Sequence, residues 1–228
     1  TITSETSMVN TCWSNTYKGI TRANTILSNV QRARQEGSIP EATLLRYEGE
    51  ASFFRAVFYS FLVFLWGDVP YYTEYLTIDE AFKMGRTDKN IVLEQIYRDF
   101  DNAIENLPPS YSGLQRVTKG AAYAFKARTA IWMLDWETAA TAAKNCMDLN
   151  VYSLHSDFSD LFLSQTSNSP ELIFTLPHSK EIMNDEYSTT NLYTRMAGGN
   201  ATAQPSWELL LAFTCTDGLP IDESSLFD

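Results

Sequence analysis

The sequence predicts a mainly α-helical fold, a tetratricopeptide-like stack of helix hairpins (an α/α superhelix), followed by a loop-rich part with one strand. Three observations carry this. Apolar residues recur at three- and four-residue steps through the first two-thirds of the chain. The prolines of that region, Pro40, Pro70, Pro108 and Pro109, fall between the periodic stretches, where they end or start helices. Finally, two helical patterns joined at Leu134-Asp135 span about 32 residues, near the roughly 34-residue period of tetratricopeptide hairpins.

The first helix is predicted over 7–34. Trp13, Tyr17, Ile20, Leu27 and Val30 share one face, Asn24 interrupts it, and Gly37 ends it. Ser38-Ile39-Pro40-Glu41 has capping-box spacing, which predicts a second helix over 39–66. The stretch from Phe53 to Trp66 is apolar nearly all round, so this helix should be central and covered on most sides. Gly67-Asp68-Val69-Pro70 breaks it, and a tyrosine-rich loop follows. A third helix carries the stripe Val92, Leu93, Ile96, Tyr97, Phe100, Ala103, Ile104 and Leu107 and stops at Pro108-Pro109. Thr118 caps a fourth helix running to Met133. Asp135 caps a fifth, with Trp136, Ala139, Ala140, Ala143 and Met147 on one face. Small residues on both, Ala121, Ala122, Ala124 and Ala127 facing the alanines of the fifth, suit close helix approach. Beyond these lie a helical turn over 157–163, a strand over 171–176, a loop over 177–205 and a short helix over 206–213. The organisation expected is a helical scaffold over 1–164 and a loop-rich segment over 165–228 of the same domain.

Composition excludes several classes. The 228 residues hold 44% hydrophobic and 20% charged side chains, enough for a packed core and too apolar for a disordered chain. With 17 basic against 28 acidic residues the net charge is −11, opposite in sign to a phosphate-backbone binder, so no nucleic-acid partner is expected. The longest apolar run, Ala56 to Trp66, is far short of the roughly 20 residues of a membrane helix. Cys12, Cys146 and Cys215 are too few and too scattered for a disulfide framework or zinc site, and Cys12 and Cys146 read as buried thiols. The chain opens at Thr1 without a leader pattern, which reads as a mature or truncated segment.

No phosphate-loop, dinucleotide, zinc-protease or nucleophile-elbow motif occurs. Two histidines, His155 and His178, give no basis for a metal site or triad. Glu94, Asp99, Asp101 and Glu105 read as a solvated face of the third helix, and Glu48 and Glu50 as partners of Arg46 or Arg55. Arg55 needs a carboxylate, because an unpaired buried guanidinium is costly; Glu50 or Asp68 is expected. No catalytic residue, metal or cofactor is therefore predicted.

The aromatics are the informative outlier, at 13% of residues. Those at helical spacing are core. Those in loops, Tyr71, Tyr72 and Tyr75 after the Pro70 turn and Tyr187 and Tyr193 further on, are candidates for a site. A sugar ring stacks its apolar C–H face on an aromatic ring while amides and guanidinium groups bind its hydroxyl rim. The candidate glycan-binding residues are Tyr187, Asn191, Tyr193, Arg195, Trp207, Tyr71 and Tyr72.

Several segments in order resemble the SusD/RagB family of Bacteroidetes glycan-binding lipoproteins. They are Trp13 through Asn24, Glu50-Ala51-Ser52-Phe53-Phe54-Arg55-Ala56 running to Trp66-Gly67-Asp68-Val69-Pro70, Arg116 through Ala122, Asp135 through Ala139, Ser169 through Phe174, and Asp217-Gly218-Leu219-Pro220-Ile221. The resemblance implies a non-catalytic protein at the outer-membrane surface, held by a lipid anchor upstream of this chain. It also implies a glycan ligand and a SusC-like TonB-dependent transporter as partner. The family is about twice this length, so the chain would be the N-terminal portion of a larger SusD-like domain. Two other readings stay open at this stage: a helical scaffold for protein–protein contacts, and a glycosidase using loop carboxylates.

Overall fold

The computed structural model describes residues 6–112, 116–162, 169–175 and 206–226. The chain divides into two units, Thr1–Thr175 and Leu176–Asp228. The first holds helices α1 (Ser7–Glu36), α2 (Glu41–Trp66), α3 (Ile78–Lys83), α4 (Lys89–Asn106), α5 (Lys119–Trp132) and α6 (Trp136–Asp148), then a 3₁₀ turn at Ser159–Phe162. The second holds α7 (Trp207–Leu211). Within the first unit α1 packs on α2, α2 on α4, α4 on α5 and α5 on α6, a successive stack of the kind the hairpin spacing predicts.

Local chemistry sets most boundaries. Gly37 ends α1 in the left-handed conformation, φ 63°, which costs glycine nothing. Asp88, Thr118 and Asp135 cap α4, α5 and α6 by accepting backbone N–H groups of the first turn. The capping box expected at Ser38-x-x-Glu41 does not form. Pro40 is the N-cap without a side-chain bond, and Glu41 instead pairs with Arg34 at 3.0 Å. A complete capping box occurs at Thr77 and Glu80, on the short α3 that periodicity did not reveal.

The core runs along α2. Phe53, Ala56, Tyr59 and Leu62 are fully buried and meet Ile20 of α1, Val92, Ile96 and Phe100 of α4, and Ala121 and Ala122 of α5. One side of α2 is left open, however: Tyr47, Phe54, Phe61, Phe64 and Leu65 are between 38% and 52% exposed. The α5–α6 contact is as close as its alanines suggest, with the Cys146 thiol 3.5 Å from the Gly120 carbonyl. The face of α6 differs from expectation. Ala139, Ala142 and Cys146 are buried, while Trp136, Ala140, Ala143 and Met147 point to solvent. Cys12, too, is only half-buried.

The strand expected at 171–176 is absent over its described residues, 171–175. A strand needs an edge to pair with, and here Ile173 and Phe174 lie against the core instead. The Phe174 ring sits 5.7 Å from Phe53 and 5.8 Å from Phe125, edge to face. The one antiparallel bridge among the described residues joins Val69 to Thr87 and closes the loop that carries α3.

Candidate functional site

The tyrosine-rich loop after α2 is pinned from below by hydrogen bonds. The fully buried Tyr59 hydroxyl donates to the Tyr72 carbonyl and accepts the Tyr72 N–H, both at 2.9 Å. Asn24 of α1 donates its amide to the same carbonyl at 3.1 Å, and the Tyr17 hydroxyl donates to the Pro70 carbonyl at 2.8 Å. Asn24, the polar interruption on the face of α1, is thus one of three groups that fix the loop, with Tyr17 and Tyr59. Its amide oxygen accepts from Arg55 Nη1 at 3.0 Å. Arg55 in turn grips Asp99 of α4 at both oxygens, Nε to Oδ2 at 2.7 Å and Nη2 to Oδ1 at 2.6 Å.

This geometry corrects three expectations. The partner of Arg55 is Asp99, not Glu50 or Asp68. Glu50 is held bidentately by Arg116 at 2.6 and 2.7 Å, and Asp68 accepts the Lys89 N–H instead. Glu48 pairs with Arg34, not with Arg46 or Arg55. Asp99 is buried rather than part of a solvated face. Its place was legible in the spacing, since Val92, Ile96, Asp99 and Ala103 step by four, three and four along one stripe.

Beside the ion pair lies a polar cleft of about 840 Å³, walled by α1, α2 and α4 and bordered by residues 73–75. Asn24, Ser52, Arg55 and Asp99 form its floor, while Asn29, Gln31, Arg98 and Tyr75 stand at its exposed sides. Asn102 reaches in from α4, and its amide oxygen is buried without a hydrogen-bond partner. Burial drives the Tyr17, Tyr59 and Tyr71 phenols above their ordinary range, so all three remain protonated donors at neutral pH. Burial also raises the Asp99 carboxyl, against the opposing pull of Arg55. Among the described residues, no three of His, Cys, Asp and Glu come together to hold a metal ion.

The sequence-derived site residues are distributed unevenly. Tyr71 and Tyr72 are half-buried parts of the packing: Tyr71 lies 4.8 Å from the Tyr59 ring and Tyr72 stacks on Tyr17 at 6.0 Å. Tyr75, their neighbour, is 79% exposed. Trp207 belongs to the second unit, opening α7 with 75% of its surface in solvent. Tyr187, Asn191, Tyr193 and Arg195 lie outside the described residues.

The family described as starch-binding and associating with the outer membrane, SusD-like, matches residues 1–131. The chain belongs to the SusD-like family. A SusD-like relative, protein P25 of Formosa agariphila, is 30% identical over 176 residues, which are 76% of this chain and 33% of that protein. A SusD-like carbohydrate binding protein from Bacteroides fragilis has the same fold, with a TM-score of 0.83 at 24% identity over 96% of this chain and 42% of that one. A laminarin binding SusD-like protein superposes with a TM-score of 0.65 at 27% identity, covering 72% of this chain and 36% of its own. The chain spans about a third of the length of the curated SusD-like relatives it matches. Among the described residues of this SusD-like chain, no helix is long and apolar enough to cross a membrane.

Proposed function

We propose that the protein represented by this chain binds oligosaccharide or polysaccharide at the outer-membrane surface and passes it, uncleaved, to a SusC-like TonB-dependent transporter. The observation that carries this reading is the SusD-like match over residues 1–131, with its starch-binding and outer-membrane description. The laminarin binding of a relative that shares the helical scaffold supports a glycan as the ligand class. Attachment to the membrane, in this reading, is through a lipid on an upstream segment. The side chains of Tyr187, Asn191, Tyr193 and Arg195, together with Trp207, are of the kinds suited to ring stacking and hydroxyl recognition.

Retention of the chain in polysaccharide-containing native gels, compared across a panel of glycans, tests the reading. Retardation by at least one glycan is expected, together with weaker retardation of Tyr193→Ala or Trp207→Ala. No retardation by any glycan overturns it. Unchanged migration of both variants in a gel that retards the parent chain moves the contacts away from those two side chains. Release of reducing ends under glycan saturation would contradict the non-catalytic role. The partner is tested by co-purification with a SusC-like transporter from outer membranes.

A further inference from the structure

We propose that the cleft between α1, α2 and α4 is a sugar subsite in its own right, taking one or two neutral pyranose rings against the exposed face of Tyr75. The inference rests on the glycan-binding reading and assigns part of it to residues already visible in the scaffold. Four features of the cleft point the same way.

The first is Tyr75. Of the three tyrosines in the loop after Pro70, two are consumed by packing on Tyr59 and Tyr17, whereas Tyr75 keeps 79% of its surface free while lining the cleft. An open aromatic face beside polar groups matches the mixed surface of a pyranose, apolar on its C–H face and polar at its rim.

The second is Asn102. It is a half-buried amide on the cleft lining, and an amide can both donate to and accept from sugar hydroxyls. A hydroxyl answers this amide in either orientation, because it both donates and accepts.

The third is charge. Arg55 and Asp99 neutralise each other, Glu48 shares Arg34 with Glu41, and Arg98 and Glu74 stand on the same lining, so carboxylates slightly outnumber cations. The cleft therefore offers polar contacts with a slight acidic excess, which favours a neutral ligand over a uronic acid or a phosphate. The fourth is size: about 840 Å³ falls within the roughly 300–1,000 Å³ of small-molecule sites.

Backbone amide spectra of the isotope-labelled chain, titrated with neutral gluco-, galacto- and manno-configured disaccharides and with a glucuronic-acid disaccharide, test the proposal. Saturable shifts confined to residues 24–31, 73–75 and 98–102 are expected for at least one neutral sugar, with no gain for the acidic one. Tyr75→Ala should weaken that binding roughly tenfold, Tyr75→Phe should preserve it, and Asn102→Leu should weaken it severalfold. Tyr75 is exposed, so its variants fold like the parent. Shifts elsewhere with a silent cleft overturn the subsite and leave the glycan reading standing. Absence of binding by every sugar overturns both. A preference for the acidic disaccharide, or full affinity in Tyr75→Ala, overturns the neutral stacked ligand.

Discussion

Arg55 of α2 and Asp99 of α4 form a bidentate ion pair at 2.6 and 2.7 Å in which both side chains are nearly out of solvent, 13% and 11% exposed. The pair ties the central helix to its neighbour and, through Asn24, helps to orient the loop that borders the cleft. A charge pair so placed adds modestly to net stability, because desolvation offsets much of the attraction, but removing one member strands the other.

Arg55→Met is therefore expected to cost about 3–5 kcal/mol, while Arg55→Met with Asp99→Leu costs clearly less than that single change. Urea denaturation of the two variants and the parent reads the difference. A double variant less stable than Arg55→Met would show that the pair contributes more than it costs to bury.

Tyr59→Phe removes one hydroxyl that serves both the N–H and the carbonyl of Tyr72. Phenylalanine fills the same space, so the loss is of hydrogen bonds alone, about 1–3 kcal/mol, chiefly from the Tyr72 N–H, since the carbonyl keeps the Asn24 amide. Faster hydrogen exchange at the Tyr72 amide should accompany the lower stability. An unchanged exchange rate there would mean that the loop is held by its other contacts.

The positions of these groups show what the sequence could and could not reveal. Helices α1, α2, α4, α5 and α6 were legible because period and capping chemistry agreed for most of them. On α6, alanines occupy both candidate faces, and their spacing alone does not choose between Ala139-Ala142-Cys146 and Ala140-Ala143-Met147. The pattern at 171–175 is equally apolar whether it pairs with a strand or lies on Phe53 and Phe125, so the missing edge could not be read. Within the site, the tyrosine loop was found but its division was not. Only tertiary contacts separate Tyr71 and Tyr72, which pack, from Tyr75, which is free.

Leu134 makes the tight turn between α5 and α6 with φ 62°, in the left-handed region that disfavours a β-carbon, and it is 68% exposed. Leu134→Gly removes that strain without forfeiting buried contacts. A gain of about 0.5–1 kcal/mol is expected, seen as a higher melting temperature. A fall in melting temperature would assign the leucine a packing role that its exposure does not show.

Asp135 begins α6 with its carboxylate accepting the Thr138 N–H and the Tyr97 hydroxyl, each at 3.1 Å. Hydrogen bonding to the Thr138 side chain is the largest cause that holds its pKa below the ordinary carboxylate range; burial opposes it, and the Thr138 N–H, Tyr97 and nearby Lys126 add to the lowering. The unfolded chain, with an aspartate near about 3.9, then binds the proton more readily than the native one. Its contribution is thus present above about pH 4 and is lost as pH falls through the lower native value. Asp135→Asn keeps a capping side chain but abolishes this titration, so the variant should lose stability less steeply than the parent between about pH 5 and 3. Denaturation midpoints collected across that range decide it, and parallel acid limbs would show that the carboxylate's charge contributes nothing to the cap.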